Sequence, residues 1–144
     1  MKAFSNGTFG KVHVLRLDSG DFLLESIEEF VKTQGIKNAV VLSGIGTLDY
    51  CTIYMVLTTD FPVEKHFAKW ENKPLELVSV DGVIADGHIH LHAVVSDCKG
   101  AYAGHLEQGC RISYLGEIVI AEMDGFNFER RLNEQGTNLL EDKS

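Results

Sequence analysis

The sequence has 144 residues, of which 44% are hydrophobic and 24% charged, and its formal net charge is −8. Its length and composition are typical of one soluble domain with a buried core, and no apolar run is long enough for a membrane helix. An excess of 21 acidic over 13 basic residues disfavours nucleic-acid binding, which depends on Lys and Arg contacts with phosphates.

The cysteines and the first residues of the chain indicate a reducing compartment. Cys51, Cys98 and Cys110 are odd in number and have no CxxC spacing, which disfavours a disulfide framework and a thiolate zinc site. We expect Cys51 and Cys110 to pack in the interior and Cys98 to lie in a turn. Residues 1–10 lack the charged and then apolar pattern of a secretory signal, so we expect a cytoplasmic protein.

The first part of the chain predicts a strand and then the principal helix. Residues 9–17 alternate between apolar and polar side chains, as a strand does. The helix follows, with Ser19 or Asp21 as its N-cap and Gly35 at its C-terminal end. Its apolar stripe predicts that it lies across a sheet, and this stripe consists of Leu23, Ile27, Phe30 and Val31.

Strands dominate the rest of the chain. Residues 38–43 predict a short buried strand, Gly44 and Gly46 predict a bulge or a sharp bend, and residues 47–58 predict a long strand. Residues 59–74 have the least regular pattern. Further strands are predicted at 74–82, 111–123 and 126–132, and a hairpin that contains the histidines and turns at residues 96–100 lies between the first two.

These elements predict an α+β fold, with a mainly antiparallel β-sheet of six to eight strands and one principal helix packed on it. No linker divides the chain, so we expect residues 1–132 to form a single domain. Residues 133–144 are polar, and we expect them to be a mobile C-terminal tail.

Four of the six histidines lie within residues 88–105. In a strand, His88, His90 and His92 share one face because alternate side chains point the same way. Residues 96–100 have Asp early and Gly late, as a turn requires. A symmetric hairpin about this turn places position 92 opposite His105, and position 90 opposite Glu107. A slip of one residue would move His105 to the other face.

Three imidazoles at close range predict a zinc site that His90, His92 and His105 form, with the fourth position open to water. Taken singly, a histidine in a strand is usually a packed or surface residue, and only the combination of the three favours a metal site. We expect His88, one step further along, to lie behind the ligands or to face solvent. Glu107 is the nearest carboxylate, and it is either a partner of the site or a stray surface residue.

The order of these motifs resembles that of the PPC (plant and prokaryote conserved) domain. The matching motifs are VLSGIG (41–46), LVSVDG (77–82), HLHA (90–93) and GHL (104–106). The resemblance covers about residues 9–128. It implies an α+β fold that assembles into homotrimers, and a zinc ion associated with the histidines that match His90, His92 and His105.

This chain departs from the family pattern at two places near the third histidine. The usual double glycine is Ala103-Gly104 here, and in Glu107-Gln108-Gly109 the acid does not directly precede the glycine. The histidines are intact, but the neighbouring carboxylate does not match. In plants the domain is joined to AT-hook segments with an Arg-Gly-Arg-Pro core, and no such segment occurs in this sequence.

Three functions are compatible with this sequence. The first is a stand-alone, zinc-binding homotrimeric module with a regulatory or ligand-binding role, for which a small-molecule ligand is possible. The second is a zinc-dependent hydrolase or lyase acting on a small molecule, in which Glu107 would be the base. The third is DNA binding, which the family name suggests and the charge opposes. We rank them in this order, and so expect a binding module rather than an enzyme.

Overall fold

The computed structural model describes residues 1–5 and 7–143. Within them, one helix and eight strands follow in the order β1 (Thr8–Asp18), α1 (Leu23–Gln34), β2 (Ala39–Val56), β3 (Lys65–Ala85), β4 (His88–Ser96), β5 (Ala101–Leu106), β6 (Arg111–Asp124), β7 (Phe128–Leu132) and β8 (Asn138–Asp142). The α+β class, with a mainly antiparallel sheet and one principal helix, is confirmed. No helix in the described part of the chain has the length and apolarity needed to span a bilayer.

The main sheet has six strands in the order β1-β6-β2-β3-β4-β5, and every neighbouring pair is antiparallel. Strand β5 also pairs with the far end of β2, where Ile53 is opposite Leu106 and Tyr54 is opposite His105. This pairing closes β2, β3, β4 and β5 into a ring. It brings the end of β2 against the histidine hairpin.

Helix α1 covers one face of this sheet with the predicted apolar stripe. Leu23, Ile27 and Val31 are buried in the core, and Gly35 ends the helix in the left-handed conformation at φ 67°. The predicted N-cap is wrong, because Phe22 occupies that position and no side chain caps the helix. The carboxylate of Asp21 accepts a hydrogen bond from the backbone N–H of Asp18 instead, so it stabilises the preceding turn.

Strand β3 begins earlier than the sequence pattern indicates. Residues 65–71 fall in the segment predicted to be least regular, yet they pair with residues 50–56 of β2. Register shifts in β2 occur on both sides of the predicted bulge, between Val41 and Ser43 and between Gly46 and Leu48. Backbone pairing with a distant strand therefore outweighs the weak local pattern of residues 59–74.

The end of the chain contains a strand of its own. Strand β8 lies within the predicted tail 133–144 and pairs with β7 in a separate two-stranded sheet. The mobility of this segment stays a prediction. Strand β8 forms a hairpin with β7, and residues of this hairpin line a cleft together with residues of the main sheet.

Directly opposed residues of a sheet share a face, and one such row crosses five strands. The row runs through Val12, Ala121, Val40, Val83 and His90. Since the adjacent rows point into the core beneath α1, His90 lies on the face that the helix leaves uncovered. We call this the outer face of the sheet.

Candidate metal centre

The histidine hairpin has the predicted register. His92 is opposite His105, and the pairs continue to Ser96 opposite Ala101. Asp97 fixes the turn, because its carboxylate accepts hydrogen bonds from the backbone N–H groups of Lys99 at 2.8 Å and Gly100 at 3.0 Å. A turn that binds its own Asp side chain therefore sets the alignment of two strands and brings His105 beside His92.

The three predicted ligand residues converge on the outer face. The ring centres are 5.4 Å apart for His90 and His92, 5.1 Å for His90 and His105, and 5.5 Å for His92 and His105. The rings of Tyr54 and His105 stack at 4.5 Å, and Phe67 lies 5.6 Å beyond Tyr54. His92 with His105, Tyr54 with His105 and Tyr54 with Phe67 are directly opposed cross-strand pairs, whereas His90 and His92 are alternate residues of β4. The pairing and alternation of the strands therefore set the side-chain geometry.

Two glycines allow the strands to approach closely enough for this arrangement. A Cβ atom at Gly104 would lie 2.5 Å from the carbonyl oxygen of Tyr54, which is the strand contact that closes the ring. A Cβ atom at Gly82 would collide with the carbonyl oxygen of His90, and the φ of Gly82 is 154°. At both positions a side chain would collide with the backbone of the neighbouring strand, so glycine is required there.

The hydrogen bonds of His105 select its tautomer. Its Nδ1 lies 3.0 Å from the carbonyl oxygen of Leu106 and 3.2 Å from Oε1 of Glu107. A carbonyl oxygen can only accept, so Nδ1 carries the hydrogen and Nε2 keeps its lone pair. Metal-ligating histidines commonly donate their second ring N–H to a carboxylate or a backbone carbonyl in this way.

Glu107 contacts the site, but not from the predicted position. The pairing of β4 with β5 ends at His92 and His105, so no pair joins position 90 to position 107. The chain turns toward β2 instead, and the N–H of Glu107 donates to the carbonyl of Thr52 at 3.1 Å. Glu107 therefore orients the His105 ring through Nδ1, which leaves Nε2 free.

The surroundings keep two of the imidazoles neutral. Burial lowers the pKa of His90 below its ordinary value, and the positive charge of Arg130 and the two neighbouring histidines lower it further. Burial is also the main cause that lowers the pKa of His105, although Glu107 opposes this shift. Neutral imidazoles have the free lone pair that a metal ion requires.

The donor set fits zinc in chemistry and in spacing. A Zn–N distance of about 2.0–2.1 Å, extended to the ring centres, places the imidazoles around a tetrahedral ion about 5 Å apart. Within residues 1–5 and 7–143, however, no group of three or more His, Cys, Asp or Glu side chains is already arranged to hold a metal ion. The rings of His90 and His105 stack at an angle of 29°, so they must rotate before both can face one ion.

An open cleft of about 760 Å³ adjoins these imidazoles. His88, His90 and His105 all form part of its wall, and His88 is exposed to solvent. A second cleft, between the end of α1 and the turn before β4, contains His88 but none of the three predicted ligands.

Three residues of the site are not among those predicted from the sequence. Tyr54 stacks on His105, and Lys65 and Arg130 line the cleft. Tyr54 has the pattern of an ordinary packed residue. Arg130 lies 25 residues beyond His105 in sequence, so only the docking of the β7–β8 hairpin brings it to the site.

The model of the Plants and Prokaryotes Conserved (PCC) domain matches residues 4–124 of this chain. The chain belongs to this family. The resemblance in the motifs around residues 41–46, 77–82 and 90–106 is thereby confirmed. Strands β7 and β8 lie outside the matched residues.

Two curated relatives match over part of their length. The bifunctional protein GlmU of Synechococcus sp. strain JA-3-3Ab is 31% identical over 123 residues, and that of strain JA-2-3B'a(2-13) is 30% identical over 122 residues. In both cases the match covers 84% of this chain and 18% of the relative.

Solved structures share the fold over nearly the whole chain. A PPC protein of Pyrococcus horikoshii is 26% identical with a TM-score of 0.83, and the match covers 99% of each chain. A metal-containing protein of Archaeoglobus fulgidus is 28% identical with a TM-score of 0.80, covering 96% of this chain and 98% of that one. A Bacteroides thetaiotaomicron protein that is proposed to bind DNA is 18% identical with a TM-score of 0.76, covering 96% and 99%, which shows a common fold alone.

Proposed function

We propose that this chain is a zinc-binding homotrimeric module, with His90, His92 and His105 as the metal ligands and the adjacent cleft as a ligand-binding site. The observation that carries the proposal is the convergence of three imidazoles with ring centres 5.1–5.5 Å apart. The metal-containing protein of A. fulgidus, which is similar over nearly the whole chain, supports a metal at this fold. Zinc with three protein ligands would keep a fourth position for water or a ligand group.

The proposed trimer is supported by the apolar outer face of the sheet. Val12, Val14, Leu42, Ile45 and Val78 are all exposed there, and the single helix of the described residues packs against the opposite face. Contiguous apolar surface of this kind usually marks a site of assembly. A second copy of the chain is the proposed occupant.

A binding role is favoured over an enzyme because Glu107, the carboxylate that contacts His105 in the described part of the chain, is already bonded to its Nδ1. Glu107 holds Nδ1 of His105 and does not line the cleft. A base for hydrolysis or hydration would have to face the reacting water. A cytoplasmic location is part of the proposal, and three free cysteines support it.

X-ray absorption at the zinc edge of the purified protein tests the metal site. We expect three nitrogen ligands at about 2.0–2.1 Å. A sulfur-rich shell, or a hexaaquo signal, would contradict the proposal. Light scattering tests the assembly, since a mass of three 16.0 kDa chains is expected. The mass of one chain at micromolar concentration would contradict it.

A further inference from the structure

The cleft beside the three imidazoles differs in charge from the rest of the protein. Its fifteen lining residues include Lys65, Arg130 and three histidines, but no Asp or Glu. The whole chain has 21 acidic and 13 basic residues. An acid-free cleft on so acidic a protein attracts anions locally, because the walls focus the field of the few cations within them.

Arg130 is the arginine that has no acidic partner in the described part of the chain. The other three arginines each form an ion pair, namely Arg16 with Asp18, Arg111 with Asp49 and Arg131 with Glu129. Arg130 is partly buried, and desolvation lowers its pKa. A partly desolvated guanidinium without a counter-ion costs free energy, which an anion bound in the cleft would recover.

Lys65 provides a second cation in the cleft. Its Nζ lies 4.1 Å from the centre of the Tyr54 ring, and this ring stacks on His105. The cation–π contact holds the ammonium group near the imidazoles without neutralising its charge. Lys65 and Arg130 come from β3 and β7, so they approach the cleft from separate elements.

The remaining walls indicate an organic rather than an inorganic ligand. Val56, Phe61, Val63 and Ile89 give the cleft an apolar side, and its volume of about 760 Å³ is in the usual range for small-molecule sites. We propose that the cleft binds a small organic anion, with a carboxylate or phosphate group held by Arg130 and Lys65 beside the imidazoles and an apolar body against this wall.

The inference deepens the proposed ligand-binding function and rests on it. It also assigns a role to the C-terminal hairpin, which lies outside the residues that the family model matches. Arg130 and the loop between β7 and β8 form one wall of the cleft. The hairpin therefore supplies one of the two cations proposed to hold the anion, and the matched residues supply the other.

Calorimetric titration of the full chain with phenyl phosphate, benzoate and neutral benzyl alcohol tests the proposal. We expect saturable binding of at least one anion and none of the alcohol, and the two anions distinguish a phosphate from a carboxylate head group. Arg130→Met should weaken anion binding about tenfold or more, because a charge-assisted contact is lost. Arg131→Met is the matched control, since Arg131 is exposed, pairs with Glu129 and does not line the cleft.

Lys65→Met gives a second test that does not depend on the hairpin, and circular dichroism checks that each variant is folded. Equal affinity of the Arg130→Met and Arg131→Met variants, equal binding of the alcohol, or no anion binding at millimolar concentration would each overturn the inference. Zinc content is measured on the same samples. A protein that holds zinc but no anion refutes the anion site alone, whereas one that binds the anion without zinc refutes the metal site alone.

Discussion

The two faces of the main sheet differ in how far their apolar side chains are buried within the chain. On the helix side, Ile27, Ile118 and Ile120 are fully buried, and apolar packing is satisfied within the chain. On the outer side, Val14 is 71% exposed and Val12 58%, and a row of aromatic and imidazole rings ends at His92. Folding of the single chain buries the helix face. The outer face stays exposed and has the features of a surface that binds a ligand and further copies of the chain.

The strongest test of this contrast compares two substitutions, one on the buried side of the sheet and one on the outer face. Ile27→Ala should lower the free energy of unfolding by about 2–5 kcal/mol, because it leaves a cavity between α1 and the sheet. Val14→Asp should leave the chain folded but dissociate the proposed trimer, since it places a charge on the apolar outer face. Urea unfolding measures the first effect and light scattering the second. An intact trimer in the Val14→Asp variant would contradict the assignment of this face to assembly.

Gly104→Ala is expected to disturb the metal site through the backbone. Its Cβ would meet the carbonyl oxygen of Tyr54 at 2.5 Å, so β5 must move away from β2 and carry His105 with it. We expect a loss of about 1–3 kcal/mol in the free energy of unfolding, together with weaker zinc binding.

Gly100→Ala is the matched control for Gly104→Ala. A Cβ atom at Gly100 would meet nothing within 4 Å, although the residue belongs to the same hairpin. Its stability and zinc affinity should stay close to those of the unmodified chain. If the two variants behave alike, the close approach of β5 to β2 does not position His105.

The site also predicts a pH dependence for the metal-free protein. The pKa values of His90 and His105 are lowered in the folded state. At a pH below the ordinary histidine pKa of about 6.5, the unfolded chain therefore binds more protons than the folded chain. Stability is therefore full above this pH and falls as the pH drops from there toward the folded-state values. Urea unfolding with a chelator present, between pH 5 and 8, measures the slope.

Replacing both histidines tests the origin of that slope. In the His90→Asn and His105→Asn double variant, the loss of stability just below about pH 6.5 should be smaller. An unchanged slope would show that other groups cause it. The remaining histidines provide the internal control, because they are still present in the variant.

The smallest expected effect concerns nucleic acid. The chain carries −8 and a trimer would carry three times this charge, so we expect weak binding or none to duplex DNA, including AT-rich sequences. Arg130 lies in the cleft, so it adds little to any basic outer surface. A fluorescence titration at about 150 mM salt checks this. Submicromolar, salt-sensitive binding would favour the DNA hypothesis instead.

The parts of the molecule that the sequence predicts correctly depend on local signals. The apolar stripe from Leu23 to Val31 specifies α1, and the Asp97 turn specifies the register that brings His92 and His105 together. Both rest on residues within one element or one turn. Alternation and turn chemistry are therefore sufficient for the helix and for the convergence of the histidines.

The parts that could not be predicted depend on contacts between distant segments. Strand β3 starts at Lys65 because β2 is available to pair with it, and the local pattern there is irregular. Glu107 departs from the expected position because β5 leaves β4 to pair with β2. Arg130 reaches the cleft only through the docking of β7 and β8. None of these pairings has a signal in neighbouring residues.

The central claim is the three-histidine zinc site, and zinc content per chain tests it most directly. We expect close to one zinc per chain in the purified protein, and loss of it in His92→Ala. His66→Ala is the control, because His66 is exposed on β3 and does not line the cleft, so its zinc should be retained. Full zinc occupancy in a variant with alanine at 90, 92 and 105 would contradict the account.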